Sequence, residues 1–204
     1  MAEKQYDRCF ELPKTTLGSM AGQRWADDPK SLLFSLARYK HVARLLDGYH
    51  TVAEVGCGDG FASKLVRDVV WNLDLFDFDT RFQKDSGCEI IDIQIQSLPS
   101  QYDAIYLLDV FEHIADPHQL MINLCKSLVR DGTLIIGIPS LESQKYASAM
   151  SKEGHVNCMS GKPFRDFLRI YMKNVFIFGI NDETLTTGFF PMCQYLLAVC
   201  TVVR

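Results

Sequence analysis

The chain has 204 residues, 48% of them hydrophobic, and a formal net charge of −4. This length and apolar content predict one domain, 1–204, with a sizeable core. Because the charge is mildly acidic and no basic run stands out, a nucleic-acid partner is disfavoured and a small-molecule substrate is favoured. Seven scattered cysteines without a C-x-x-C pair, and no apolar run long enough for a membrane span, lead us to expect a cytoplasmic protein without a membrane partner. The oligomeric state is not encoded in these features.

The N-terminal part, 1–48, is predicted to form a lid and a helix. Asp28-Pro29 supplies a cap and a first-turn proline ahead of an apolar stripe, and Gly48 ends the helix. Within that stripe, Arg38 could reach a ligand pocket, and a solvated arginine is the alternative. Upstream, the segment Gly22-Gln23-Arg24-Trp25 is a candidate lid over a bound ligand.

A glycine-rich loop follows the first predicted strand, which begins at Thr51. Gly56, Gly58 and Gly60 can take positive φ and let a ligand approach the backbone closely. Their spacing is G-x-G-x-G, whereas a dinucleotide fingerprint reads G-x-G-x-x-G. With carboxylates at Glu54 and Asp59, the loop favours a cationic or hydroxyl-rich ligand over a phosphate. A plain tight turn is the alternative.

The next elements complete a β-α-β unit. Residues 61–67 are predicted to form a short helix, and residues 70–76 a strand that ends at Asp77. A carboxylate at the tip of such a strand can accept hydrogen bonds from both hydroxyls of a ribose. An exposed aspartate in a turn is the other interpretation of Asp77.

The remaining chain continues the alternation of strands and helices. A helix that starts at Asp116-Pro117 is predicted to end at Asp131-Gly132, ahead of a strand over 133–138. A further helix is predicted over 163–171. Two strands, 174–180 and 192–203, are predicted to form an antiparallel hairpin at the end of the chain.

Several of these segments together resemble the class I S-adenosylmethionine-dependent methyltransferases over most of the chain. The resemblance is carried by Glu54-Val55-Gly56-Cys57-Gly58-Asp59-Gly60, by Asp77, by Asp92 after a third strand, and by the run from Tyr102 to Ile114. It implies an α/β fold, a Rossmann-like three-layer αβα sandwich whose mostly parallel seven-stranded sheet has an antiparallel C-terminal strand. The cofactor-binding half is then 49–140, and the substrate-side half with the C-terminal hairpin is 141–204.

The resemblance also implies the cofactor, S-adenosyl-L-methionine, and the residues around it. Asp77 is expected to hold the ribose and Asp92 to meet the adenine amino group, while the glycine loop packs under the methionine portion. The predicted cofactor-binding residues are Arg38, Glu54, Gly56, Cys57, Gly58, Gly60, Asp77, Phe78, Asp92, Ile93 and Asp109.

Methyl transfer asks the protein mainly for alignment and for a deprotonated nucleophile, because the sulfonium already activates its methyl group. His113, just after the fourth strand, is the first candidate for the base, and His155 is the second. A structural histidine is the alternative for His113. We predict no metal, although Asp109, Glu112, His113 and His155 resemble the Mg²⁺ or Mn²⁺ site of small-RNA 2′-O-methyltransferases and some quinone O-methyltransferases.

The tail segments 176–183 and 187–189 are similar to a subset of bacterial methyltransferases associated with surface-polysaccharide and related small-molecule pathways. We therefore expect O-methylation of a small polar acceptor, a sugar or a sugar derivative. The alternatives are a quinone or phenol O-methyltransferase, a metal-dependent RNA 2′-O-methyltransferase, a nicotinamide-dependent oxidoreductase, and a non-catalytic cofactor-binding partner subunit.

Overall fold

The computed structural model describes residues 7–204, with every side chain in that range except that of Met150. Within this part of the chain, eight strands form one sheet in the order β3-β2-β1-β4-β5-β8-β6-β7. The strands are β1 (Thr51–Val55), β2 (Asn72–Asp77), β3 (Glu89–Ile90), β4 (Tyr102–Leu108), β5 (Leu128–Pro139), β6 (Met172–Asn181), β7 (Thr184–Thr186) and β8 (Tyr195–Val203).

The first five strands are parallel, and β8 runs antiparallel between β5 and β6. This arrangement confirms the predicted mixed α/β sheet with an antiparallel C-terminal strand. The difference is the short edge strand β7, which lies in the segment predicted to be a loop and pairs Thr184 with Asn181 of β6. Because β7 has only three residues, it is too short to show the alternation of apolar and polar residues by which a strand is predicted from sequence.

The α-helices are α1 (Asp7–Glu11), α2 (Ser19–Asp27), α3 (Pro29–Leu45), α4 (Lys64–Arg67), α5 (Gln83–Ser86), α6 (Pro117–Lys126), α7 (Ala149–Gly154) and α8 (Gly161–Leu168). The cap predicted for α3 is present, since the Asp28 carboxylate accepts a hydrogen bond from the Lys30 amide at 3.1 Å. Several predicted bounds are wrong. The helix predicted over 61–67 begins at Lys64, and the strand predicted over 192–203 begins at Tyr195. Helix α8 ends at Leu168, and α6 ends at Lys126, so that Asp131-Gly132 lies within β5.

Strand β5 can begin early because Leu128 pairs with Tyr102, and the register then shifts before Ala104 pairs with Thr133. Such an irregularity accommodates extra residues within a strand. A Cβ on Gly132 would lie 2.8 Å from the carbonyl oxygen of Val129, so the close backbone approach there requires glycine.

Two apolar layers flank the sheet. On one face, Val42 and Leu46 from the α3 segment pack with Tyr106 of β4. On the other face, Leu124 of α6 and Phe164 of α8 are fully buried in a second cluster. The sheet therefore lies between two helical layers, and the carboxyl ends of its parallel strands open at one edge.

The carboxylate of Glu54 joins the sheet to α3. It is only 1% exposed, and its two oxygens accept hydrogen bonds of 2.5 Å from the hydroxyls of Tyr39 and Tyr106. Burial raises the pKa of Glu54. Since both tyrosines reach this one carboxylate from other elements, it fixes the position of α3 over β1 and β4.

Helix α2 is fastened over the glycine loop by two carboxylates. The Ala21 amide donates to Asp59 Oδ2 at 2.7 Å, and the Ser19 amide donates to Asp85 Oδ2 at 3.1 Å. The first amides of a helix have no partner within the helix, so acceptors from the body of the protein satisfy them. Helix α2, which contains the predicted lid segment, is thereby held against the sheet edge.

We expect Glu54→Ala to lower the free energy of unfolding by about 2–4 kcal/mol, because it leaves two buried tyrosine hydroxyls without their acceptor. Urea denaturation measures this change. Glu54→Gln keeps one acceptor oxygen and should cost less, and Glu89→Gln on the exposed edge strand is the matched control. Equal stability of Glu54→Ala and the wild type would contradict the structural role.

We expect Asp59→Ala to loosen α2 without unfolding the domain, because the Ala21 amide loses its acceptor. Hydrogen exchange followed by mass spectrometry should then show faster exchange in residues 19–27 and unchanged exchange in β4. The control is Asp68→Ala, which removes only an exposed ion pair with Lys64. Unchanged exchange in α2 would show that other contacts hold the helix.

Candidate functional site

Two adjoining cavities open at the carboxyl edge of the parallel strands. The smaller has a volume of about 390 Å³ and the larger about 510 Å³. The two cavities share five lining residues: Met20, Gly56, Gly58, Asp109 and His113. The cavities therefore form one groove that crosses the ends of β1 and β4, the edge at which ligands bind in open α/β sheets.

The smaller cavity contains the acidic residues that the sequence places after β2 and β3. Asp77 accepts hydrogen bonds of 2.9 Å from the amides of Gly58 and Asp79, and Asp92 Oδ1 accepts one of 2.9 Å from the Gln94 amide. Each carboxylate oxygen has a second lone pair that can face a ligand. Phe78 and Ile93 also line this cavity.

The glycine loop separates the two cavities. Gly56 and Gly58 have φ of +76° and +55°, and a Cβ on Gly56 would lie 2.2 Å from Val110 Cγ2. Glycine is therefore required there for both conformation and space. Cys57 lines the larger cavity and its thiol is buried, which raises its pKa.

Two of the predicted cofactor-binding residues do not line the groove. Glu54 lies behind the loop, where both of its oxygens are used by tyrosines. Gly60 faces α5, since a Cβ on it would lie 2.9 Å from Ser86 Cβ. The structure shows a packing role for both residues, and their direct contact with a cofactor stays a prediction.

Asp109 and Arg38 form an ion pair where the cavities meet. Arg38 Nη1 donates to both oxygens of Asp109, at 2.9 and 2.7 Å, and the guanidinium lies 3.8 Å from the centroid of the Tyr195 ring. Burial is the largest single effect on Arg38 and acts to lower its pKa, but the combined effects of Asp109, Tyr195 and Glu112 leave that pKa raised. Asp109 has a φ of +57°, an uncommon conformation for a residue with a Cβ.

A short 3₁₀ turn, Phe111–His113, carries the candidate base. Phe111 is fully buried and packs against Phe164 and Phe167 at centroid distances of 5.6 and 5.7 Å. This anchor directs Glu112 and His113 into the larger cavity. The His113 Nδ1–H donates to the Gly154 carbonyl oxygen at 2.9 Å.

The structure brings His155 beside His113, with 5.0 Å between the ring centroids. The amides of Val156 and Asn157 donate to the Glu112 carbonyl oxygen at 2.7 and 3.0 Å, which ties this loop to the 3₁₀ turn. Burial, and then the proximity of His113, lower the pKa of His155. Its Nδ1 lies 2.9 Å from Gln144 Oε1.

Glu112 is a buried acidic residue in the wall of the larger cavity. Its side chain is 1% exposed, and its Oε2 has no hydrogen-bond partner among the described residues. Burial, followed by the charge of Asp109, raises the pKa of Glu112 to about 9. One ligand atom from each of Glu112, His113 and His155 lies within 4.8 Å of the others.

Sequence reasoning missed some residues of the groove. Met20 lines both cavities, Phe82 lines the smaller one and Gln144 orients His155, and no sequence pattern marks Phe82 or Gln144. Arg24, which lines the larger cavity, lies in the Gly22–Trp25 segment that the sequence predicts as a lid. None of the helices in residues 7–204 combines the length and the apolar character needed to cross a membrane.

Comparisons with known proteins identify the family of the chain and structures with a similar fold. A family model described as a methyltransferase domain matches residues 21–169, more than half of the chain. No curated protein matches the chain. The structural likenesses below are between 14% and 16% identical in sequence, so they concern the fold.

Three solved structures illustrate the likeness. A chain from the complex of the Haloferax volcanii Trm112 methyltransferase activator with a methyltransferase is 15% identical, with a TM-score of 0.67, covering 93% of this chain and 100% of that chain. A SAM-dependent methyltransferase of Thermotoga maritima is 14% identical, with a TM-score of 0.65 and coverages of 89% and 98%. The N-methyltransferase NodS of Bradyrhizobium japonicum, in complex with S-adenosyl-L-homocysteine, is 16% identical, with a TM-score of 0.63 and coverages of 88% and 90%.

The family match covers the glycine loop, the acidic ends of β2 and β3, and both histidines of the groove. It confirms the predicted class of enzyme and the predicted cofactor, S-adenosyl-L-methionine. The chain belongs to the methyltransferase domain family.

Proposed function

We propose that the protein transfers the methyl group of S-adenosylmethionine to a hydroxyl group of a small polar acceptor, a sugar or a sugar derivative. The observation that carries this proposal is the junction of the two cavities at Asp109 and His113. A cofactor in the smaller cavity would present its methyl group at this junction, and an acceptor in the larger cavity would face it.

The smaller cavity suits the adenosine. The free lone pairs of Asp77 would accept hydrogen bonds from the ribose hydroxyls, and Asp92 would accept one from the adenine amino group. The methionine portion would lie over Gly56 and Gly58. Arg38 keeps donors beyond the Nη1 used by Asp109, and these can meet the cofactor carboxylate.

The larger cavity suits a hydroxyl-bearing acceptor because polar side chains form much of its wall. Arg24, Asp59 and Ser151 supply donors and acceptors around the histidine pair. In the step itself, His113 Nε2 would take the hydroxyl proton while the acceptor oxygen bonds to the methyl carbon. The bond between carbon and sulfur would break with its electron pair remaining on sulfur, which gives S-adenosylhomocysteine.

A small-molecule acceptor, rather than a nucleic acid or a membrane, fits the mild acidity of the chain. We also propose a cytoplasmic location for the protein. A nitrogen acceptor is the second candidate, because NodS, whose fold is similar, is an N-methyltransferase. A screen with free sugars, nucleotide-linked sugars, phenols and amines, read by product mass, separates these acceptors. No methylated product from any of them would favour a non-catalytic partner subunit.

We expect Asp77→Ala to weaken binding of S-adenosylmethionine by about 100-fold or more, because two hydrogen bonds to a charged group are lost. Calorimetric titration with the cofactor and with S-adenosylhomocysteine measures the change. Asp77→Asn keeps a side-chain oxygen that can accept from the Gly58 amide. It therefore tests whether the loss of affinity in Asp77→Ala comes only from a disturbed glycine loop.

The control for this titration is Asp68→Ala, a surface aspartate outside the groove. Equal cofactor affinity in Asp77→Ala and the wild type would remove Asp77 from the site. Absence of binding to folded wild-type protein would overturn the proposed function, and nicotinamide cofactors would be titrated next.

We expect His113→Ala to lower kcat by about 10²–10⁴-fold while cofactor affinity stays near that of the wild type, because the group that takes the proton is lost and the smaller cavity is intact. Steady-state kinetics with an acceptor found in the screen, together with calorimetry, check this result. His41→Ala is the matched control, since His41 contacts the Glu183 carbonyl oxygen at 3.2 Å outside the groove. An unchanged kcat in His113→Ala would exclude the assigned role.

A further inference from the structure

We infer that Glu112, His113 and His155 form a binding site for a divalent transition-metal ion at the acceptor end of the groove. The inference deepens the proposed function and rests on it, because it names the group that would hold the acceptor oxygen. It differs from the four-ligand Mg²⁺ or Mn²⁺ site considered from the sequence in both its ligands and its metal.

The first argument concerns the histidine lone pairs. A carbonyl oxygen only accepts, so the Gly154 carbonyl fixes the His113 proton on Nδ1 and leaves the lone pair on Nε2. Gln144 acts likewise on His155, since its Nε2 points toward Ser140 O and Ser143 Oγ and its Oε1 toward the ring. Imidazoles that bind metals usually donate their other N–H in this way.

The second argument concerns Glu112. A buried side-chain oxygen without a hydrogen-bond partner is unusual in a native protein, and Glu112 Oε2 is such an atom. The side chain is 1% exposed, so water reaches it poorly. Because the three ligand atoms lie within 4.8 Å of one another, one cation between them would satisfy the carboxylate and both lone pairs.

The donor set decides the kind of ion. Asp109 is paired with Arg38, and it is not in the group of side chains whose ligand atoms lie within 4.8 Å of one another. Two imidazole nitrogens and one carboxylate suit ions such as Zn²⁺, Co²⁺ or Fe²⁺ better than Mg²⁺, which prefers oxygen ligands. Three protein ligands leave positions open for a substrate.

This site narrows the class of acceptor. A bound divalent ion would lower the pKa of a hydroxyl group that it binds, so that the hydroxyl would give its proton to solvent water without an imidazole base. The His113 lone pair then serves as a ligand, and the base role proposed above describes the site without an ion. Acceptors with two neighbouring oxygens, such as vicinal diols or hydroxy acids, would bind through both of them.

The test is a titration of metal-free protein with Co²⁺, followed by visible absorption. We expect one ion per chain, with affinity at least about 10-fold weaker in Glu112→Gln and in His155→Ala. Gln144→Leu, which removes the acceptor that orients His155 together with the contacts of Gln144 Nε2 to Ser140 and Ser143, should weaken binding by about 10–100-fold. His41→Ala and Glu153→Gln are the matched controls and should bind like the wild type.

Three outcomes would overturn the inference. They are the absence of stoichiometric binding, a thiolate charge-transfer band that places the ion on a cysteine, and equal affinity in the wild type and the three site variants. If Glu112, His113 and His155 bind an amine acceptor and not a metal ion, the titration with Co²⁺ would show no stoichiometric binding.

The proposed function is tested separately on the same samples. Cofactor-dependent methyl transfer that persists after chelation, together with no Co²⁺ binding, would remove the metal and keep the methyltransferase mechanism with His113 as base. Absence of S-adenosylmethionine binding in both metal-free and Co²⁺-loaded protein would instead overturn the proposed function, whatever the metal result.

Discussion

The ion pair between Arg38 and Asp109 holds together the elements that bound the groove. Arg38 comes from α3 and lies against Tyr195 at the start of β8, while Asp109 follows β4 and its amide donates to the Gly137 carbonyl oxygen of β5 at 3.1 Å. The side chains are 22% and 26% exposed, so solvent screens part of their attraction. The main consequence of the pair is positional, because it connects α3, β8, the end of β4 and β5 at a single contact.

That contact also sets the direction of the chain beyond β4. With a φ of +57°, Asp109 turns the backbone sharply, and Phe111 then anchors the 3₁₀ turn in the core. A conformation of this kind costs on the order of 1–3 kcal/mol and persists only where its surroundings enforce it. The strained residue that follows β4 therefore lies at the junction of the cavities, where methyl donor and acceptor would meet.

Most of the sheet and the cofactor side of the groove could be predicted because they depend on local signals. The G-x-G-x-G spacing, the acid after β2 and the acid after β3 are each read within a few residues, and the structure places Asp77 and Asp92 in one cavity. The hydrogen bonds of Glu54 could not be predicted, for the opposite reason. Its two partners, Tyr39 and Tyr106, are 15 and 52 residues away, and a contact over such distances leaves no pattern in the sequence.

The same limit applies to the start of β5 and to the acceptor side. The pairing of Leu128 with Tyr102 overrides the turn signal of Asp131-Gly132, since strand pairing is a tertiary contact. Gln144 and Gly154 look like ordinary loop residues until the fold places them against the two histidines. Sequence patterns could name His113 and His155, but not the hydrogen bonds that fix their protons.

The two carboxyl groups near the junction differ in a way that bears on the cofactor. Asp109 is compensated by Arg38, whereas burial and the charge of Asp109 raise the pKa of Glu112 to about 9, which favours the protonated form of its carboxyl group. A sulfonium or a metal ion placed beside Glu112 favours the ionised form, because an opposite charge at close range lowers the pKa of a carboxyl group. The acceptor end of the groove can therefore gain a negative charge when a cation arrives. Ion pairing with that cation offsets part of the cost of burying the charge.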